Sequence, residues 1–299
     1  MNFLAYLLFL LFAYPLSILP FKVLYSLADG LYGILYKGIG YRKKVVRQNL
    51  ANAFPEKPES ERLRIEQQFY RHLCDLIVEN IKMLTISRAE VVKRCTFDNP
   101  DLLHQYYRDG KSLTAAVAHY NNWELGGLSL ALHSPHKVLA IYKPLANPWF
   151  NRFIQRFRKR FGSYLVSKET AARTLLQHRD DLTMSVFITD QTPLHVEQAH
   201  WTTFLNQPTP VFQGLERIAR KTDDPVVFCH MRRKTRGYYS VKLIEVTKHP
   251  SQTEEGDITE THTKLLEQII AEHPSAWLWS HRRWKRSHRA PQHMNYGKQ

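Results

Sequence analysis

The sequence predicts an α/β fold, a mostly parallel sheet flanked by helices with a hydrophobic helix ahead of it. Three observations carry this expectation. After residue 110, short apolar runs alternate with segments of helical periodicity, the pattern of strands joined by crossover helices. Before that, Leu63, Tyr70, Leu73, Ile77, Ile81 and Leu84 recur at helical spacing and mark a long amphipathic helix. At the start of the chain, the stretch from Phe3 to Phe21 holds no charged residue.

Taken in order, residues 3–21 are rich in Leu, Phe and Tyr and just long enough to cross a bilayer. Pro15 and Pro20 interrupt the pattern, so a kinked or partly inserted helix fits as well. No Lys or Arg precedes the apolar run, which argues against a cleaved signal peptide. A weaker apolar stretch from Val23 to Tyr36 leads to Lys37, Arg42, Lys43, Lys44 and Arg47, a basic cluster expected on the cytoplasmic side beside anionic lipid. The organisation expected is thus a membrane anchor over 1–40 and a cytoplasmic domain over 41–299. The latter comprises a helical lead-in at 41–110, broken by a turn-rich segment from Asn52 to Ser60, and an α/β core at 111–287. Candidate strands are 113–118, 138–142, 182–188, 225–231 and 239–246. Candidate helices are 123–133, 148–161, 169–178, 210–221 and 257–273. The last stretch, His288 to Gln299, is polar and expected to fray.

Composition narrows the partners. The 299 residues suffice for a sizeable core. With 42 Lys and Arg against 27 Asp and Glu, the net charge of +15 calls for an acidic partner. The three cysteines, Cys74, Cys95 and Cys229, form no close pair and no metal spacing, which fits a reducing compartment. Cys229 lies in an apolar run and reads as core. The 15 histidines show no zinc spacing, and His195 and His200, with Glu197 between them, fall in a loop-like segment. Neither a Gly-x-Ser-x-Gly elbow nor a Gly-rich phosphate loop is present, so serine hydrolases and nucleotide-dependent enzymes lack their signatures.

The segment most suggestive of chemistry is Ala118-His119-Tyr120-Asn121-Asn122-Trp123-Glu124, between a strand and a helix. Five positions around a helix is about 500°, so His119 and Glu124 share no face if both are helical. They meet if His119 lies in the preceding turn and Glu124 reaches back, fixing the tautomer and leaving the other nitrogen free as a base. Spacing alone equally fits a His and a first-turn Glu that cap one helix. Downstream, Arg152 to Arg160 places Arg152, Arg156, Arg158, Lys159 and Arg160 on one helix, with Phe153, Phe157 and Phe161 as its buried stripe. These arginines form either an oxyanion clamp or a solvated face. Asp190 and Gln191 follow an apolar strand. Asp190 faces the crevice of His119 if the two strands are neighbours, and otherwise caps its own turn. From Trp277 to Lys285, aromatic and basic residues alternate, as in nucleic-acid and membrane-interface binding; the apolar N-terminus favours the membrane.

Together these stretches resemble the bacterial lipid A biosynthesis acyltransferases of the late, lauroyl and myristoyl type, within the lysophospholipid acyltransferase superfamily. The resemblance rests on His119-x4-Glu124, Arg47 to Leu50 before Phe54-Pro55, and Tyr142-Lys143-Pro144 with Asn147-Pro148. It continues through the Arg-rich helix, Asp190-Gln191, Thr209 to Ala219 and the closing His281-Arg282-Arg283-Trp284-Lys285. It covers nearly the whole chain. It implies a glycerolipid-acyltransferase-like fold, with His119 as general base on a hydroxyl and Glu124 orienting the imidazole. Arg158 or Arg160, with Asp190 and Gln191, would bind substrate. Helical phasing groups Arg156 with Arg160, whereas the family register points first to Arg158. The resemblance further implies an acyl carrier protein thioester as donor, no cofactor and no metal. The acceptor would be a phosphorylated glycolipid at the cytoplasmic face of the inner membrane, with no nucleic acid involved. Two departures stand out: Asn121 and Asn122 where many members carry a glycine, and Phe204-Leu205-Asn206 where a Phe-Phe-Gly-like turn is usual.

Overall fold

The run Leu113–Val117 is small and apolar enough to be covered on both sides, and it forms a central strand of the sheet. The structure, a computed structural model, describes residues 3–178 and 181–294. The strands are β1 (Cys95–Phe97), β2 (Leu113–Val117), β3 (Lys137–Tyr142), β4 (Tyr164–Ser167), β5 (Thr183–Ile188), β6 (His200–Phe204), β7 (Gln207–Val211), β8 (Val226–Thr235) and β9 (Tyr238–Thr247). The helices are α1 (Phe3–Ile18), α2 (Phe21–Tyr32), α3 (Lys43–Ala53), α4 (Glu59–Lys82), α5 (Arg88–Arg94), α6 (Asp101–Arg108), α7 (Trp123–His133), α8 (Pro148–Arg158), α9 (Ala171–Gln177), α10 (Gly214–Thr222) and α11 (Asp257–Glu272). A π-helical turn, Gly33–Ile39, extends α2.

A seven-stranded sheet has the order β1-β9-β8-β2-β5-β3-β4. Only the β8–β9 hairpin pairs antiparallel within it, so the expected mostly parallel sheet flanked by helices is present. All five candidate strands of the core are found, the candidate helix 123–133 is present with those bounds as α7, and the other candidate helices are present with shifted ends. Helix α10 starts at Gly214 rather than 210 because Pro208 and Pro210 keep the preceding residues extended in β7, which pairs with β6. The β6–β7 loop is Leu205-Asn206, both at positive φ (50° and 61°), the conformation a two-residue hairpin requires and glycine adopts at least cost. It packs on neighbouring helices: Asn206 Nδ2 donates to Ala53 O (3.1 Å) and the Leu205 amide to Glu267 (2.5 Å).

Two apolar layers cover the sheet. Leu125, Leu128 and Leu130 of α7 pack with Leu113, Ala115 and Val227 on one face. Leu215 and Ala219 of α10, with Leu266, Ile269 and Ile270 of α11, pack with Ala116 and Phe228 on the other. From β2 the chain runs through α7 over to β3, beyond β5. From β5 it runs through α10 back to β8, on the far side of β2. The carboxyl ends of β2 and β5 therefore flank a topological switch point, where open sheets form their crevice.

The N-terminal segment differs from the expected spanning helix. Helix α1 has 16 residues, about 24 Å at 1.5 Å per residue, and the chain turns at Pro20 into α2. Among the described residues no helix is long and apolar enough to cross a membrane. The C-terminal carbonyls of α1 are tied to α4: Lys82 Nζ donates to Ser17 O (3.0 Å) and Leu19 O (2.9 Å), and Thr85 Oγ1 to Ser17 O (2.6 Å). Tyr6 and Phe9 of α1 stack against Phe150 and Phe153 of α8, which assigns part of the phenylalanine stripe to α1. Of the polar end of the chain, short 3-10 turns are seen at Ser287–Arg289 and Gln292–Met294, and residues 295–299 lie outside the described residues.

The hairpin joining β8 to β9 turns at Gly237, whose φ is +76°. A Cβ there would lie 1.8 Å from the Tyr25 hydroxyl and 2.9 Å from Arg94 Nη1. Gly237→Ala is expected to cost ~1–2 kcal/mol from the left-handed backbone alone, plus the displacement of Tyr25. Urea denaturation of the variant with an unchanged midpoint would show that the α2 contact is not held by this close approach.

Candidate active site

The parallel register of β2 with β5 sets Val117 beside Ile188, so the residues just past both ends emerge together. There the His119 amide donates to Asp190 Oδ2 (3.0 Å), and His119 Nδ1 lies 2.7 Å from Asp190 Oδ1. A carboxylate only accepts, so Nδ1 carries the proton and Nε2 keeps its lone pair. Gln191 Nε2 donates to that lone pair at 3.1 Å. Asp190 is buried, and its second oxygen also receives Trp277 Nε1–H at 2.9 Å. Burial alone would raise the carboxyl, but the His119 imidazole and the hydrogen bonds from His119 and Trp277 hold it below the usual carboxylate range. The expectation that Asp190 shares a crevice with His119 holds.

The turn between β2 and α7 depends on the two asparagines. Asn121 has φ +52°, a left-handed conformation that asparagine adopts more readily than most residues. Its Nδ2 donates to Met231 O (2.9 Å) and its amide to Ala276 O (3.0 Å). Asn122 is the N-cap of α7: its Oδ1 accepts the Leu125 amide (3.0 Å) and its Nδ2 donates to Glu79 (2.6 Å). Glu79, buried in α4, also receives the hydroxyls of Tyr25 (2.9 Å) and Tyr239 (2.8 Å). Burial raises its carboxyl, opposed by those same donors. The start of α7 is thus bolted to α2, α4 and β9.

Glu124 does not reach back to His119. It projects from the first turn of α7 to the last turn of α8, where Arg158 Nε donates to its Oε2 (3.0 Å) and Arg158 Nη2 to its Oε1. This fork–fork pair is the geometry for which guanidinium suits a carboxylate. Burial pulls Arg158 down, and the hydrogen bond and charge of Glu124 more than restore it. Orientation of the imidazole, expected of Glu124, falls to Asp190, because the turn carrying His119 faces β5 while the first turn of α7 faces α8. The two arginines are now separated as well. Arg160 lies past the end of α8 and donates to the carbonyls of Met83 and Ile86 (2.9 Å), away from the site.

The closing segment is a correction. Trp277, Trp279 and Arg283 are 2, 0 and 2% exposed and Trp284 is 9%, so they face the interior and no membrane or nucleic acid. Trp277 packs edge-on against Trp279 at 4.8 Å and against Phe204 at 5.8 Å. Arg283 Nη2 donates to Pro210 O (2.7 Å) and Trp284 Nε1 to Thr209 (2.8 Å). Asn49 of α3 clasps the strap, donating to Trp279 O (2.8 Å) and His281 O (3.0 Å). Trp277 is the site residue that sequence reasoning missed. Its pairing with Asp190 joins positions 87 residues apart and leaves no periodic trace.

Residues flanking His119 in the chain, Val117, Ala118, Tyr120 and Trp123, line an apolar cavity of ≈ 1050 Å³ with its open mouth included. It continues past Gly127, Val138 and Met231, with Glu124, Arg158, Tyr142 and His230 among its few polar groups. Cys229 borders it, and burial pushes this thiol up to about 12, consistent with its reading as core. Leu205 and Asn206 are not among the lining residues, so the hairpin departure acts on packing. Among the described residues no cluster of His, Cys, Asp and Glu could hold a metal ion. His200 instead pairs with Glu260 at 3.0 Å.

The sequence matches the family model described as bacterial lipid A biosynthesis acyltransferase over residues 2–286. A lipid A biosynthesis acyltransferase of Haemophilus influenzae is 23% identical over 273 residues, 89% of this chain and 86% of the relative. A lipid A biosynthesis palmitoleoyltransferase of Escherichia coli is 23% identical over 269 residues, with the same coverage of both chains.

Because the Asp190 carboxyl is held low in the folded protein, its ionised form contributes stability fully present above the unfolded value of about 3.9. That contribution is lost as pH falls through the lower folded value. The difference in urea stability between the protein and Asp190→Asn should therefore shrink as pH falls below about 4. A difference that persists unchanged into strong acid would assign the stabilisation to something other than the carboxylate.

Proposed function

The chain belongs to the bacterial lipid A biosynthesis acyltransferases, and from that premise we propose that it transfers a fatty acyl chain from acyl carrier protein to a hydroxyl of a lipid A precursor at the cytoplasmic face of the inner membrane. One observation carries the proposal: a histidine whose Nδ1–H is held by a buried carboxylate, with Nε2 facing Gln191 and its chain neighbours lining an apolar cavity.

His119 Nε2, once Gln191 yields its place, takes the proton of the acceptor hydroxyl. The oxygen bonds to the thioester carbonyl carbon, and the carbon–sulfur bond then breaks. The imidazolium returns its proton to the departing thiolate, leaving an ester and a free thiol. Asp190 keeps the tautomer and balances the imidazolium, as a buried carboxylate does in other His-based sites. Gln191 is the side-chain donor nearest the base and is placed to stabilise negative charge on the carbonyl oxygen. Arg158 and Glu124 act as a pair on the cavity wall, where the remaining guanidinium N–H groups are available to substrate. The apolar cavity takes the acyl chain. No metal or cofactor enters this scheme, since a thioester needs only a base and an oxyanion donor.

Contact with the bilayer is supported by the outer surface of the N-terminal helices. Leu4, Leu11, Phe12 and Ile18 are 65, 65, 66 and 71% exposed, which is costly in water and favourable at a lipid surface. A short apolar helix of this kind lies in the interface, beside α8, and brings the crevice to an acceptor that stays in the membrane.

His119→Ala should lower acyl transfer from acyl carrier protein by roughly 10³-fold or more while the fold persists. A mass-spectrometric lipid profile of a deletion strain should show lipid A short of one acyl chain. Lipid A with its full acyl count, alongside loss from another lipid class, would redirect the acceptor assignment; unaltered turnover by His119→Ala would remove it from the mechanism.

Gly127 lines the cavity with nothing within 4 Å of where a Cβ would stand. Gly127→Leu should fill that space without displacing neighbours and shift donor preference to shorter chains, read as kcat/KM across acyl carrier protein thioesters. A chain-length profile identical to that of the unsubstituted enzyme would move the acyl chain elsewhere.

A further inference from the structure

A second cavity lies behind the turn that carries His119, and its chemistry is opposite to that of the first. It holds ≈ 1010 Å³ including its open side, and Tyr120, His230 and Met231 line both cavities. Its walls carry His72 from α4, Asn121 from the turn, His230, Arg233 and Lys234 from β8, and Ser240 from β9. His72, Asn121 and Ser240 are 4, 3 and 1% exposed, yet His72 Nε2, Asn121 Oδ1, His230 Nε2 and Ser240 Oγ are buried without a hydrogen-bond partner. Four such atoms behind one cavity wall are costly, and turning their side chains toward a ligand would relieve that cost.

Their polarity indicates which ligand. Arg233 Nη1 donates to His72 Nδ1 (3.2 Å), so His72 carries its proton on Nε2 and offers a donor. Ser240 offers its hydroxyl, and Lys234, which donates to Thr96 Oγ1 at 3.2 Å, offers an ammonium at the rim. Arg232 is engaged by Asp98 (2.6 Å), and Arg233 and Arg236 share Asp75 (2.9 and 2.6 Å), with Asp29 also on Arg236. Four cations thus face three carboxylates, leaving the patch positive. Donors arriving from α4, β8 and β9 suit a tetrahedral oxyanion. A planar carboxylate would be met by a single guanidinium fork. Asn121 Oδ1, the one clear acceptor, suits a protonated phosphate oxygen or an adjacent hydroxyl.

We propose that this cavity is a phosphate-binding site, which takes a phosphate mono- or diester carried by one of the two substrates while the apolar cavity takes the acyl chain. The assignment of the phosphate to a substrate rests on the acyl-transfer reading; phosphate binding itself does not.

Calorimetric titration of the full-length protein in detergent with inorganic phosphate tests the site without reference to activity. Saturable binding is expected, weakened about tenfold by Lys234→Glu and unchanged by His119→Ala. Ser240→Asp, which sets a carboxylate against the cavity, should abolish it; Ser240→Ala, which only removes a donor, serves if that variant does not fold. Absence of saturable binding, or affinity in Lys234→Glu and Ser240→Ala equal to that of the unsubstituted protein, overturns the proposal. In the transfer assay, Lys234→Glu should raise KM for the phosphorylated acceptor, or for the acyl carrier protein thioester, and so name the source. A rise in neither KM, with phosphate binding weakened, overturns the assignment to a substrate. Failure of the intact protein to transfer acyl chains at all would count against the enzymatic reading and leave the titration standing.

Discussion

A buried carboxylate with three N–H groups aimed at it is the constraint on which the rest of the structure depends. Asp190, just past the end of β5, accepts the His119 amide and imidazole from the end of β2 and the Trp277 indole from the far C-terminal strap. A carboxylate removed from water without such partners costs several kcal/mol, so each donor must be delivered by its own part of the fold. The β2–β5 register supplies the first two. One residue of slip would turn the strand ends to the opposite face and break them. The third requires that the strap be docked, which Asn49, Arg283 and Trp284 accomplish through contacts to backbone and hydroxyl oxygens. Folding of the sheet and assembly of the base are therefore one event.

Much of this was legible in the sequence, and the reasons differ by element. Strands β2, β3, β5, β8 and β9 are apolar runs bounded by turn residues, and α8 and α11 keep a helical period, so both kinds are visible locally. Strands β1 and β4, three and four residues long, are too short to display a period and exist because an edge was there to pair with. His119 and Asp190 could be placed at strand ends, and they could be joined on the condition that their strands were neighbours. What the sequence could not supply was the partner of Glu124. Its spacing from His119 is compatible with contact, but which way each side chain turns is set by the left-handed Asn121 and the capping Asn122. That turn sends Glu124 toward α8, where it meets Arg158 while Arg160 donates to backbone carbonyls elsewhere.

The strap shows why alternating aromatic and basic residues mislead. Such a pattern is shared by membrane-interface segments, nucleic-acid binders and buried clasps, and only the last is closed by contacts hundreds of residues away. Arg42 reaches Ser280 O (2.9 Å) and Asn49 reaches Trp279 O, separations of 238 and 230 positions. Pro210 O accepts from the buried Arg283, and the Asp190 charge partly offsets the burial that lowers this guanidinium to about 10. The surface that does expose apolar side chains is at the other end of the chain, on α1 and the helices after it.

The turn after β2 separates two compartments. On one side the apolar cavity runs past Gly127 and Val138; on the other the cationic cavity gathers His72, Lys234 and Ser240, with Tyr120, His230 and Met231 as the shared wall. An amphiphile divides in the same way, its chain needing a dry slot and its charged group a wet, donor-rich one. Under the proposed acyl transfer, the two compartments would hold the hydrocarbon chain and the charged part of the acceptor on either side of the turn that carries His119. Strand order provides this arrangement: because the connections after β2 and β5 diverge to opposite faces, the space at the switch point is open in two directions, and a residue at that point borders both. The position of His119 thus follows from topology first and from its own hydrogen bonds second.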